Sequence, residues 1–134
     1  MHALIIHNQL FFAPIKETLG DIGYRTFDLA TSAAAARAAA RRRKPDLIVT
    51  AYRLPDGTAR EAITAICGDR EIPVVFITIE TDAVLNWLHS AVIVTRPTER
   101  LALEIAVEEA ILKPYRRSHS RLRPIGGSTA LLYS

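Results

Sequence analysis

Only one cysteine, Cys67, occurs in the 134 residues, so no internal disulfide framework can hold the chain together. The four histidines do not combine with it at the spacing a structural zinc site needs. No apolar run approaches the roughly 20 residues of a membrane span. The first residues enter a strand-like run at once, without the basic region and apolar core of a secretory signal. A cytoplasmic protein with no membrane partner is therefore expected. Aromatic residues are few, at four Phe, four Tyr and one Trp, and most apolar material is Ala, Ile, Leu and Val.

Hydrophobic residues nonetheless make up 49% of the chain, enough to offset chain entropy in one domain with a single core. The formal charge of +3 is unevenly spread. Five of the 17 bases and none of the 14 acids lie from Lys113 onward, in a stretch broken by Pro114, Pro124 and Gly126-Gly127. A domain over 1–112 and a basic, extended tail over 113–134 are expected.

Within 1–112, apolar runs alternate with helical spacing. Residues 2–7 read as a first strand, and Asn8 as the cap of a helix to about Leu19, ended by Gly20 and Gly23. Tyr24 to Leu29 is a second, weaker strand. Thr31 or Ser32 caps an alanine-rich helix whose basic end, Arg41 to Lys44, suits the helix dipole, and Pro45 stops it. The third strand, 46–51, leads to a turn at Leu54-Pro55-Asp56-Gly57 and a helix over 58–67. A fourth strand over 73–78, a short helix near 82–88, a fifth strand over 91–95 and a last helix over 98–112 complete the pattern. On that last helix Leu101, Ile105 and Leu112 form an apolar face opposed to Glu104, Glu108 and Glu109.

Five strands joined through helices predict a doubly wound α/β fold, a parallel sheet in the order 2-1-3-4-5 covered on both faces. In such sheets a site forms beyond the carboxyl ends of the strands, where the strand order reverses. Here that point is next to strands one and three.

The stretch Pro45-Asp-Leu-Ile-Val-Thr-Ala-Tyr-Arg-Leu-Pro-Asp-Gly57 resembles the part of a response-regulator receiver domain that carries the phosphoacceptor aspartate. The likeness extends to Ala3–Gln9, to Pro73–Thr78 and to Val94-Thr-Arg-Pro97. It implies a magnesium ion held by two acidic residues after strand one, an aspartate at the end of strand three, and a Thr and a Lys that contact the phosphoryl group. His7, Asn8 and Ala51 stand at the first three places, Thr78 matches the Thr, and Arg96 replaces the Lys. Alanine has no nucleophilic atom and magnesium favours carboxylate oxygen, so no catalytic residue, metal or cofactor is expected, and no enzymatic activity. With the acids gone, Thr78 and Arg96 would meet a bound anion or a partner carboxylate. His7 and Asn8 also have simple roles as strand-end and cap residues.

The spacing from Thr78 to Arg96 is about one helical turn shorter than the family pattern, and Ile93 stands where the family has an aromatic switch. An interface is expected there, through Trp87, Leu88 and Ile93 with a rim of Arg100, Glu104 and Glu108, although a lone tryptophan also suits a core. Three functions follow from the resemblance. The favoured one is a phosphorylation-independent module that contacts another signalling protein and forms a homodimer. The others are a regulator phosphorylated on a substitute such as Asp56, and a nucleic-acid accessory, for which the tail offers charge but no recognisable reader.

Overall fold

The computed structural model describes residues 1–95 and 99–116. In chain order its elements are β1 (His2–Ile6), a 3-10 turn (Gln9–Phe11), α1 (Phe12–Asp21), β2 (Thr26–Ala30), α2 (Ala33–Arg42), β3 (Leu47–Ala51), β4 (Arg53–Leu54), β5 (Gly57–Thr58), α3 (Ala59–Cys67), β6 (Val74–Ile77), α4 (Thr81–Trp87), β7 (Val92–Val94) and α5 (Arg100–Leu112). The main sheet is parallel throughout, in the order β2-β1-β3-β6-β7. This is the expected doubly wound order; β4 and β5 form a separate two-residue antiparallel hairpin, where only a turn had been expected.

Parallel strands buried on both faces need apolar side chains at every position, and β1, β3 and β6 have nearly that composition. On one face Leu4, Ile6, Ile48 and Phe76 meet α2, α3 and α4. On the other, Ile5, Val49, Val75 and Val94 meet α1 and α5. Buried Ala33, Ala36, Ala39 and Ala40 let α2 lie close to the sheet. The thiol of Cys67 is buried within the first face, which pushes its pKa up to about 12 and leaves it unreactive.

Two expectations change here. The apolar face assigned to the last helix is the exposed one: α5 buries Leu103, Ala106, Val107 and Ala110, while Leu101, Ile105 and Leu112 are 67%, 55% and 83% exposed. The helix is apolar on two sides, and the side with alanines approaches the sheet. In addition, the chain after Leu112 stays on the domain as far as it is described. Tyr115 exchanges backbone hydrogen bonds with Ile72 at 2.9 and 3.1 Å and is buried, and Arg116 pairs with Glu71 at 3.0 Å.

Gly57 holds the hairpin together at a φ of +144°, a conformation that glycine tolerates. A Cβ there would run into the carboxylate of Glu61, which completes a capping box with Thr58 at the start of α3. Gly57→Ala is expected to cost about 1–2 kcal/mol through strain and a weakened cap. Urea titration should show a lowered midpoint with an unchanged slope; an unmoved midpoint would mean that hairpin and cap contribute nothing.

Candidate functional site

The loops after β1 and β3 diverge where the strand order reverses, and between them lies a cleft of about 510 Å³ lined by His7, Asn8, Thr31, Arg53 and Pro55, among others. His7 continues β1, its backbone N–H donating to Ala30 at 3.0 Å. Its ring meets Phe11 edge-on at 4.8 Å, and its Nδ1 accepts the Asn8 backbone N–H at 2.7 Å. Burial holds its pKa below 6.5, so at neutral pH the ring is uncharged, with its proton on Nε2. Asn8 is exposed, and its Oδ1 accepts the Leu10 N–H at 2.9 Å as the cap of the 3-10 turn, not of α1 itself.

Ala51 ends β3 beside Ile77 of β6. The three positions at which the resemblance puts carboxylates thus hold an imidazole, a carboxamide and a methyl group. The imidazole Nδ1 and the amide oxygen are both already accepting hydrogen bonds. These residues do not fit a magnesium ion. Among the described residues, no group of three or more His, Cys, Asp or Glu side chains is placed to hold a metal.

Asp56, the substitute acceptor considered from sequence, sits at the tip of the β4-β5 hairpin and serves α2. Its two oxygens accept the N–H groups of Ala33 and Ala34 at 2.8 and 3.0 Å, and Ser32 Oγ accepts that of Ala35 at 3.1 Å. The first three amides of α2, which lack partners within the helix, are all satisfied. The same two backbone bonds hold the Asp56 carboxyl below its ordinary pKa.

After β6, Thr78 donates its backbone N–H to Val94, and its hydroxyl oxygen accepts the Glu80 N–H at 2.9 Å. Glu80 in turn lies with its two oxygens 2.7 and 2.9 Å from Arg53 Nε, which links the loop after β3 to the loop after β6. This pair is open to solvent, so it sets geometry more than stability. Sequence reasoning missed both partners, since nothing in the spacing of residues 27 apart announces a contact. Arg96, the other half of the expected anion contact, lies outside the described residues.

The expected interface is corrected in part. Leu88 is buried, and Trp87 is half-buried, edge-on to Phe76 at 5.5 Å and 6.0 Å from Tyr115, with the Arg60 guanidinium 5.8 Å from its ring. Leu88 belongs to the core, and Trp87 packs against it beside the docked Tyr115. Ile93 is half-buried beside Phe76. Of the rim, Arg100 pairs with Asp21 of α1 and with Glu104 at 3.1 Å, while Glu108 is exposed.

No protein-family model matches the chain, and no curated protein matches it in sequence. Solved structures are similar to it. The REC domain of the Erythrobacter litoralis response regulator PhyR superposes with a TM-score of 0.74 at 22% identity, over 90% of this chain and 95% of that one. A signal receiver domain of a histidine kinase from Syntrophus aciditrophicus gives 0.68 at 22%, over 91% and 97%. The response regulator PhyR from Brucella abortus gives 0.72 at 23%, over 84% of this chain and 48% of that one.

The chain has the receiver fold. It spans about half the length of the Brucella abortus regulator. The switch-point cleft of this receiver fold is the place described above.

The bonds from Asp56 to α2 are testable by pH. Because Asp56 has a depressed pKa when folded, the unfolded chain takes up its proton first, and stability is lost as pH falls from the ordinary value of 3.8 through the folded one. Asp56→Asn should lower stability at pH 7 and flatten this part of the acid unfolding curve. Identical acid curves for the two proteins would show that the bonds to α2 carry no weight.

Proposed function

We propose that this receiver fold is a binding module that works without phosphorylation, a pseudo-receiver acting by contact with another signalling protein and pairing with a second copy of itself. The observation that carries the reading is the carboxylate-free set His7, Asn8 and Ala51 at the switch point, with the polar groups around it engaged in internal bonds. A substitute acceptor at Asp56 would have to give up two hydrogen bonds that begin α2. PhyR of Bartonella quintana, which shares the fold, is an anti-anti-sigma factor, and this supports a target that is itself protein.

Self-pairing is assigned to the outward side of α5. Leu101, Ile105 and Leu112 recur at spacings of four and seven residues, all more than half exposed, with half-exposed Ile111 beside them and Glu108 on the same side. Such a stripe is costly to leave in water, and two-fold pairing is the commonest way for a small protein to cover it. Trp87 and Leu88 take no part. Sedimentation should find a dimer with no phosphodonor present and no change on adding one. Ile105→Glu should give a monomer with unaltered circular dichroism, because the side chain already faces solvent. A wild type that sediments as a monomer at high micromolar concentration would remove self-pairing from the proposal.

A further inference from the structure

The charges of the domain are segregated between the two edges of the sheet. Toward β7, carboxylates are largely matched from within: Glu80 by Arg53, Glu104 and Asp21 by Arg100, Glu109 by Lys113 and Glu71 by Arg116. Toward β2, Lys16, Arg25, Arg42 and Arg43 make no ion pair among the described residues. The acids nearby are committed elsewhere. Asp28 is turned onto His2 Nε2 at 2.9 Å, and Asp46 accepts the His2 backbone N–H at 2.7 Å. Glu17 follows Lys16 on α1.

β2 is also a free edge, hydrogen-bonded to β1 on one side only. Backbone groups of a strand in a parallel ladder alternate between its two sides. Ala30 accepts the His7 N–H on the β1 side, so Thr26 and Asp28 point the same way, and Phe27 and Leu29 present N–H and C=O outward. A depression of about 530 Å³ lies at this edge, with Lys16 of α1 in one layer and Arg42 and Arg43 at the end of α2 in the other. A bare strand edge bracketed by cations repels a second copy of itself. It remains open to a strand that brings carboxylates.

We infer that the β2 edge is a docking site for an extended acidic segment of a partner protein, which adds as a sixth strand outside β2 with its carboxylates between Lys16 on one layer and Arg42 and Arg43 on the other. Main-chain bonds to Phe27 and Leu29 would supply part of the affinity and the alternating side chains the selectivity. Phosphates of a nucleic acid would answer the charge but leave the strand edge unused, and Phe27, the aromatic beside it, is half-buried with Lys16 5.7 Å from its ring. This site is independent of the α5 surface.

The test uses the full chain and a labelled peptide alternating Glu with Val, compared with the same peptide N-methylated at alternate amides and with a single-stranded oligonucleotide of equal charge. The plain peptide should bind at low salt and shift the Phe27 and Leu29 amide resonances. N-methylation and the double change Arg42→Glu, Arg43→Glu should each weaken it, the charge reversal by on the order of tenfold or more. Equal binding of the methylated peptide would overturn strand addition, displacement of the peptide by a tighter oligonucleotide would make this a nucleic-acid surface, and no binding of any probe would leave the cations as a guard against edge pairing. Ile105→Glu should bind the peptide as the wild type does.

Discussion

The reversal of strand order between β1 and β3 governs the rest of the molecule. It forces the connections on either side of β1 and β3 toward opposite faces and leaves a cleft at the carboxyl end of the sheet whatever residues line it. Here His7, Asn8, Thr31 and Arg53 are among the residues that line it, with no carboxylate in the described lining, and the nearby polar groups are occupied with one another. Asn8 caps a turn, Asp56 begins α2, Thr78 and Arg53 hold Glu80. On the proposed reading, a cleft organised in this way would need no ion or transferred group to set its loops, and contact would fall to the outer surfaces.

Those surfaces differ in what they ask of a partner. The outward side of α5 is aliphatic and is driven to contact by the removal of apolar area from water, a force with little directional demand. The β2 edge offers main-chain groups between cations, so its contacts depend on geometry and on salt. On the proposed reading the two surfaces would serve different partners, Arg42 contributing to one and Ile105 to the other.

Much of the fold was legible because the deciding signals were local. Pro45 and Pro73 bracket strands too apolar to be anything but buried, Ser32 caps a run of alanines, and Gly57 sits in a turn, so the five strands and their order followed. Positions His7, Asn8, Ala51 and Thr78 were singled out because the resemblance to receiver domains aligns them with that family's pocket at the strand ends. The misses were relational. α5 is apolar on two sides, and only packing shows that Ala106 and Ala110 admit the sheet while Leu101 and Ile105 stay outside. Tyr115 looked like part of a free basic tail until its pairing with Ile72 placed it beside Trp87, which packs against the core. The Arg53–Glu80 link and the engagement of Asp56 with α2 join residues more than twenty positions apart.

The central claim is that the switch-point cleft adopts its working arrangement without phosphoryl chemistry. Amide NMR spectra of the full chain with and without a small acyl phosphate and magnesium, followed by intact mass, test this most directly. The account predicts no mass gain and unmoved resonances for His7, Arg53, Thr78 and Glu80. A stoichiometric phosphoryl adduct accompanied by movement of the Thr78 and Glu80 amides would contradict it.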